Sequence, residues 1–237
     1  MLSIYGTEQV GISAEVAIAD LSNVTINPAY RNRSRPELIN HIRPQLSQIL
    51  GSIPTPETHI AEDQNPIDFL LLGGGTLSVK SNMRDAGKAA PQNIGQPTAS
   101  TFWSRLPHFV PSGIDVRTLS YADSAKLFKQ VAQSKIVELL GEYWENLFDC
   151  DYTIHIFEVL DRDDNLSAAP KVKLYSKTAS PNWQVSRITF TRNVADWNES
   201  CTVKYDGVSI GEFQVHNNRN CFKFRFNLSG LVQAGLL

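Results

Sequence analysis

An aspartate, a serine and a lysine flank a glycine turn in one short part of the chain. Asp68 enters an apolar run, the three glycines 73–75 follow, and a second apolar run carries Ser78 and Lys80. Glycines allow the positive φ angles that a tight hairpin turn demands. Because side chains alternate along a strand, Ser78 and Lys80 share one face, and the hairpin could bring Asp68 towards that face.

A carboxylate and an ammonium group within an apolar hairpin indicate a candidate functional site. Burying either charge is costly unless the two groups pair with each other or bind a ligand. One species that fits both groups is a hydrated divalent cation at a scissile phosphate. Asp68 would hold the cation, and Lys80 would stabilise charge or orient the attacking water. The alternative from these residues alone is an edge-strand salt bridge between Asp68 and Lys80, with Ser78 beside it.

Hydrophobic periodicity predicts the helices that would position this hairpin, over residues 11–22, 36–50, around 100–106 and over 121–147. In the first helix, Ser13 is the expected cap and Glu15 falls in the first turn. Pro44 should kink or split the second helix. Residues 121–147 form one long helix or two, and Gly141 is the expected interruption.

The pattern becomes strand-like after Cys150, over residues 152–159, 171–176, 184–191, 200–205, 208–216 and 221–226. Asp206-Gly207 predicts a type I′ hairpin turn, whereas residues 51–65 and 83–98 are predicted connections. These elements predict a mixed α/β fold, in which helices flank a central mixed sheet and the C-terminal half is rich in strands. Residues 1–150 would form the helical and catalytic region, and residues 151–237 would complete the fold.

Length, charge and cysteine content narrow the classes of protein to which the chain could belong. A chain of 237 residues suits one large domain or two small ones, and a net charge of −2 gives no global basic field that would announce nucleic acid. Three scattered cysteines indicate a reduced compartment. We see neither a signal peptide nor an apolar run of about 18 residues, so we expect a cytoplasmic protein with no membrane partner.

Three segments together resemble a known family. Pro66-Ile67-Asp68 followed by Ser78-Val79-Lys80 resembles the PD-(D/E)XK nuclease core, in the variant form seen among type II restriction endonucleases. The segments 91–97 and 210–219 are similar to segments of restriction enzymes of this size. The resemblance implies a PD-(D/E)XK-like sheet, Mg²⁺ as cofactor, Asp68 as metal ligand and Lys80 as the catalytic lysine.

Ser78 departs from the family pattern, because it occupies the position of the second acid. A serine hydroxyl is a weak, neutral ligand for a hard cation, so another residue would complete the site. Glu15 is the first candidate, since a helix beside the sheet could aim its carboxylate at the metal. Gln92 and Gln96 come second, as neutral oxygen donors. The alternative for Glu15 is an ordinary glutamate in the first turn of a helix.

Basic and amide side chains supply candidate contacts to DNA. Asn217, Asn218 and Arg219 lie in a predicted turn, where Arg can read guanine and Asn adenine. Lys223 and Arg225 follow, and they alternate with phenylalanines on one strand. Phosphate contacts are expected from these two and from further cations near the hairpin and the first helices: Arg84, Lys88, Arg31 and Arg33. The alternative for Lys223 and Arg225 is a half-buried edge strand with solvated cations, and the alternative for Arg31 and Arg33 is a solvated loop.

The sequence therefore predicts a type II restriction endonuclease that uses Mg²⁺ to hydrolyse double-stranded DNA at a short specific sequence. A homodimer is expected, because a palindromic site mirrors a two-fold symmetric protein. The alternative is a non-catalytic, sequence-specific DNA-binding protein in which Ser78 marks the loss of the second acid. A third reading, a protein unrelated to nucleic acids, is suggested by the slight negative charge alone.

Overall fold

The computed structural model describes residues 5–61, 65–84, 87–91 and 93–237. Within these residues, ten strands form two five-stranded sheets that are accompanied by seven α-helices, which confirms the mixed α/β class. The chain divides into two compact units. The hairpin unit comprises Met1–Gly87 and Phe148–Thr178, and the aromatic unit comprises Lys88–Leu147 and Ala179–Leu237.

The helices are α1 (Thr7–Ser22), α2 (Pro28–Arg31), α3 (Pro36–Leu50), α4 (Ala99–Arg105), α5 (Tyr121–Ser134), α6 (Ile136–Leu147) and α7 (Leu228–Gln233). The strands are β1 (Pro56–His59), β2 (Phe69–Leu71), β3 (Thr76–Ser81), β4 (Lys88–Ala89), β5 (Tyr152–Phe157), β6 (Lys171–Ser176), β7 (Ile188–Phe190), β8 (Ser200–Tyr205), β9 (Val208–His216) and β10 (Cys221–Asn227). Among the helices of the described residues, none is long and apolar enough to cross a membrane.

The sheet of the hairpin unit is mixed, with the strand order β1-β2-β3-β5-β6. Its pairs are antiparallel except for β3 with β5, which run parallel. Apolar residues of α1 and α3 share one buried core with Leu77 and Val79 of β3 and with Ile154 and Ile156 of β5. Because β5 and β6 complete the sheet that holds β3, this unit extends across residue 150.

The sheet of the aromatic unit is antiparallel, with the order β4-β10-β9-β8-β7. The structure thus has a mixed sheet that holds the predicted hairpin and a second sheet built mainly from strands of the strand-rich C-terminal half. Phe222, Phe224 and Phe226 point from β10 into the core, as their alternation predicts. Phe222 stacks on Phe128 at 4.3 Å between ring centroids, and Phe224 stacks on Tyr143 at the same separation. Such pairs add to the stabilisation that comes from burial alone.

Two predicted turns have the backbone that the sequence indicates. Gly73 and Gly74 have φ angles of 87° and 89°, so the turn between β2 and β3 uses the freedom that only glycine has at low cost. Asp206 and Gly207 have φ angles of 48° and 82° between β8 and β9. Positive φ at both central residues is the signature of the predicted type I′ turn.

The start of α1 corrects the prediction for the first helix. The helix begins at Thr7, and the side chain of Gln9 accepts a hydrogen bond from the Gly6 N–H at 3.1 Å. Ser13 is therefore buried within the helix, where its hydroxyl accepts a bond from the Arg35 N–H at 3.0 Å. Ser13 is not a cap, and Glu15 lies in the middle of α1 rather than in its first turn.

Tertiary pairing also overrides local signals elsewhere. β1 and β4 form in segments predicted to be connections. β1 pairs with the next strand, β2, and β4 pairs with β10 near the C-terminus. Helix α3 continues through Pro44 without splitting. The break between α5 and α6 falls at Lys135, and Gly141 lies inside α6. The predicted strand 184–191 is a short 3₁₀ turn followed by β7.

Gly230 and Gly141 give a matched test of packing in the aromatic unit. A Cβ at position 230 would overlap the carbonyl oxygen of Ser209, whereas one at position 141 has the Ser180 hydroxyl as its nearest neighbour, at 4.0 Å. We expect Gly230→Ala to lower the free energy of unfolding by about 1–3 kcal/mol. Gly141→Ala should raise it by about 0.5–1 kcal/mol, because alanine is the better helix former. Denaturant unfolding of both variants checks this, and equal effects would contradict the close approach of α7 to β9.

Candidate active site

Asp68 lies where the chain enters β2. Its backbone continues the sheet, since its N–H donates to the Leu77 carbonyl at 3.0 Å and its carbonyl accepts from the Ile60 N–H at 2.9 Å. The side chain is 6% exposed, and its Oδ2 accepts bonds from the Ser78 hydroxyl at 3.2 Å and from the Val79 N–H. The hairpin therefore brings Asp68 to Ser78, as predicted.

The carboxyl of Asp68 lies in a field of opposing charges. Burial and, to a lesser extent, the negative charge of Glu15 raise its pKa, the positive charge of Lys80 opposes both effects, and the net result is a pKa of about 6. Lys80 follows Ser78 by two positions on β3, so both side chains lie on the same face of the strand. Asp68, Glu15 and Lys80 are consequently close enough for each charge to affect the protonation of Asp68.

Glu15 is a buried carboxylate of α1, with 6% of its surface exposed. Its Oε2 accepts a bond from the Tyr30 hydroxyl at 2.7 Å and is 2.9 Å from Nε2 of His59. Glu15 also lines a cleft of about 740 Å³, together with Tyr30, Arg33 and Ser81. Sequence reasoning singled out Glu15 but missed these partners, which lie 15 and 44 positions away and carry no local signal.

The donor set around Asp68 can be compared with what a hard cation requires. Among the described residues, no three His, Cys, Asp or Glu side chains form a group that could hold a metal by themselves. Mg²⁺ commonly binds through one or two carboxylates, completing its shell with waters and substrate phosphates. Glu15 and Asp68 fit that requirement, because a cation would relieve the repulsion that raises the pKa of Asp68.

The second-choice ligands are placed differently. Gln92 lies outside the described residues, so its position gives no support to a role in the site. Gln96 is exposed and belongs to the aromatic unit. Of the candidates for the missing acid, Glu15 is the one whose charge reaches Asp68.

Polar side chains of β5 extend the row that starts at Ser78 and Lys80. Thr153 pairs with Ser78 in register, and His155 pairs with Lys80. His155 is fully buried, and burial lowers its pKa to about 4, with Lys173 adding to the effect. Its Nε2 lies 2.7 Å from Oδ1 of Asn82. His155 is therefore neutral at physiological pH, and sequence reasoning missed its place beside the lysine.

The predicted base-reading residues lie in the turn between β9 and β10. Asn217, Asn218 and Arg219 are all exposed there. Among the described residues, Arg219 forms no ion pair with an acid. The turn thus presents three hydrogen-bonding side chains to solvent, and no carboxylate among the described residues of the aromatic unit pairs with the guanidinium group.

Most other predicted DNA contacts are paired with acids. Glu212 of β9 accepts from Lys88 at 2.7 Å and from Arg225 at 3.0 Å, while Lys223 is half-buried on the same strand as Arg225. In the hairpin unit, Arg84 pairs with Asp164 at 2.6 Å. Arg31 pairs there with Asp20, and Arg33 pairs with Glu8. A phosphate would have to compete with these carboxylates.

Glu212 gives a prediction for stability against pH. Its side chain is 13% exposed, and burial alone would raise its pKa, but the bonds and charges of Lys88 and Arg225 outweigh burial and lower it. A depressed carboxyl pKa stabilises the folded state above the unfolded value of about 4.5, and this contribution is lost as the pH falls through the folded value. Glu212→Gln should therefore cost roughly 1 kcal/mol of unfolding free energy at pH 7, and progressively less below pH 4.5.

Urea unfolding of both proteins between pH 7 and pH 3.5 measures that difference. Glu145→Gln, on α6, is a control because Glu145 forms no ion pair among the described residues. A Glu212→Gln deficit that stays constant down to pH 3.5 would contradict the ion-pair assignment.

Comparison with known proteins adds one relationship. The chain is 30% identical over 229 residues to the type II restriction enzyme CviAII of Paramecium bursaria Chlorella virus 1. The aligned region covers 95% of this chain and 60% of that enzyme, so the chain spans somewhat under two thirds of its relative. No family model matches the chain, and no solved structure matches it. The chain is thus similar along nearly its whole length to part of a type II restriction enzyme.

Proposed function

We propose that the chain is a site-specific deoxyribonuclease of the type II restriction class, built on a PD-(D/E)XK-like core. The observation that carries this proposal is the pair of buried carboxylates Asp68 and Glu15, because the charges of Glu15 and Lys80 both act on the protonation of Asp68. Similarity to a type II restriction enzyme over 229 residues supports it. Because the chain spans 60% of that enzyme, the activity is proposed for this chain rather than transferred to it.

Asp68 and Glu15 would hold a Mg²⁺ ion between the protein and the scissile phosphate. When bound, such an ion lowers the pKa of its water and stabilises charge on the phosphoryl group. Lys80 would neutralise negative charge at the phosphate and orient the attacking water. Ser78 donates its hydroxyl hydrogen to Asp68, so its role is to orient that carboxylate rather than to replace an acid.

DNA would be read by the turn of Asn217, Asn218 and Arg219, whose exposed side chains suit base edges in the major groove. Phosphate contacts are proposed for the remaining cations: Lys223, Arg225, Arg84, Lys88, Arg31 and Arg33. A homodimer would place two copies of the site on a palindrome. The cytoplasm is the proposed compartment, and it is supported by three buried cysteines that form no disulfide with one another.

A second candidate function is sequence-specific DNA binding without cleavage. The observation that favours it is Ser78 in place of an acid, together with the absence of a third metal-ligating side chain among the described residues. This candidate predicts DNA retention in a gel shift and intact DNA with every divalent ion. Digestion of unmethylated phage DNA in the presence of Mg²⁺ separates the two functions, since discrete fragments arise from the nuclease alone.

Asp68→Asn tests the metal site, with Asp151→Asn as its control. Both aspartates accept one backbone N–H and one hydroxyl at Oδ2, but Asp151 is exposed and receives its bonds from Thr76. Asparagine keeps an acceptor oxygen and removes the charge. We expect Asp68→Asn to cut DNA at least about a thousandfold more slowly, which corresponds to a loss of several kcal/mol of transition-state stabilisation.

Single-turnover cleavage of a DNA fragment with one site measures both variants, and filter binding in Ca²⁺ measures their affinity for DNA. Asp151→Asn should cleave at the rate of the parent protein. Undiminished cleavage by folded Asp68→Asn would overturn the site assignment, and equal losses in both variants would indicate damage to the hairpin instead.

Arg219→Ala tests the proposed reading of bases. Its removal should weaken binding to the cognate site by about 1–3 kcal/mol, with a much smaller effect on unrelated DNA. The control is Arg187→Ala, because Arg187 is held by Asp206 and lies over the ring of Tyr205 at 4.3 Å. Gel shifts of both variants at one fixed salt concentration, with cognate DNA and with unrelated DNA, measure these affinities. Equal weakening on the two DNAs would assign Arg219 to phosphate contact.

A further inference from the structure

We infer that Tyr30 and His59 are positioning residues that hold Glu15 in a single orientation for the cation. The inference deepens the proposed function and rests on it, because it assigns Glu15 as the acid that Ser78 cannot supply. The residues involved lie on three elements of the hairpin unit, namely α1, α2 and β1.

The two contacts to Glu15 converge on one oxygen. The Tyr30 hydroxyl lies 2.7 Å from Oε2, and Nε2 of His59 lies 2.9 Å from the same atom. An ionised carboxylate is an acceptor, so both partners donate to it. Oε1 takes part in neither bond. One oxygen is therefore anchored to the protein, and within the described part of the chain no hydrogen bond to the other oxygen is seen that would compete with a ligand.

His59 is itself fixed by its surroundings. Its side chain is 1% exposed, and its ring lies 4.9 Å from that of Tyr30 and 5.0 Å from that of Phe69, measured between centroids. The tilted contact with Tyr30 and the edge-on contact with Phe69 together restrict the ring to one orientation. A buried donor held in this way loses little entropy when it bonds to a carboxylate.

The strand that carries His59 also ties Glu15 to Asp68. His59 pairs in register with Phe69, the residue that follows Asp68, and the next N–H along the chain, that of Ile60, donates to the Asp68 carbonyl at 2.9 Å. β1 therefore fixes the spacing between the two carboxylates, although they lie on different elements. A cation that bridges two carboxylates depends on that spacing, so the support of Glu15 affects metal affinity.

Partners of metal ligands have effects of known size. Removing one typically costs about 10–100-fold in metal affinity or activity. We expect Tyr30→Phe, which removes a single hydroxyl, to raise the Mn²⁺ dissociation constant about tenfold. His59→Leu should have an effect at least as large, and His59→Gln should restore most of the loss, because its amide places a donor near the position of Nε2.

The experiment measures free Mn²⁺ by electron paramagnetic resonance during titration of the full chain. Single-turnover cleavage against Mn²⁺ concentration gives a second readout. Ser124→Ala is the control, because it removes a buried hydroxyl that accepts from the Trp103 indole at 2.8 Å in the aromatic unit. Two further variants are titrated with Mn²⁺ in the same way: Glu15→Gln alone, and Glu15→Gln combined with Tyr30→Phe. If Tyr30 acts through Glu15, the double variant binds Mn²⁺ as weakly as Glu15→Gln and no more weakly.

Unchanged Mn²⁺ affinity in folded Tyr30→Phe and His59→Leu would overturn the inference, as would a further loss in the double variant. A loss of affinity equal to that of Ser124→Ala would also overturn it, since it would reflect stability alone. If the parent protein binds Mn²⁺ through Asp68 and these variants weaken it while no DNA is cut, the positioning role stands and the proposed nuclease activity fails.

Discussion

Two carboxylates buried within reach of each other are the constraint around which the hairpin unit is arranged. Asp68 and Glu15 are each 6% exposed, and burial together with the charge of Glu15 raises the pKa of Asp68 to about 6. Burying an acid without partners is strongly unfavourable, so each carboxylate needs donors or a cation. The protein provides donors to one oxygen of each group, from Ser78 and Val79 for Asp68 and from Tyr30 and His59 for Glu15.

Strand pairing in the sheet of the hairpin unit brings the donors of both carboxylates into one place. The antiparallel pairing of β1, β2 and β3 places His59 beside Phe69 and Ser78 beside the Asp68 side chain. The parallel pairing of β3 with β5 adds Thr153 and His155 alongside Ser78 and Lys80. Polar groups therefore meet in an otherwise apolar sheet. Proteins tend to accept such unfavourable burial of polar groups at functional sites.

The distribution of charge in the aromatic unit is compatible with the proposed binding of DNA by a chain with a net charge of −2. Glu212 neutralises Lys88 and Arg225 on one sheet face, while Arg219 stands exposed in the adjoining turn. A phosphate that contacts one of the paired cations must compete with the carboxylate already bound to it. An exposed guanidinium group has no such competitor and is available for recognition.

Features that depend on neighbours along the chain could be predicted from the residue pattern. The glycine turn, the approach of Asp68 to Ser78, the type I′ turn and the buried phenylalanines of β10 all follow from local conformation and strand alternation. Tertiary structure alone decided where α1 begins, that β1 and β4 are strands, and which acids neutralise the cations. It also decided that Tyr30 and His59 hold Glu15, because residues 15 and 44 positions apart meet through packing and strand register that no local pattern records.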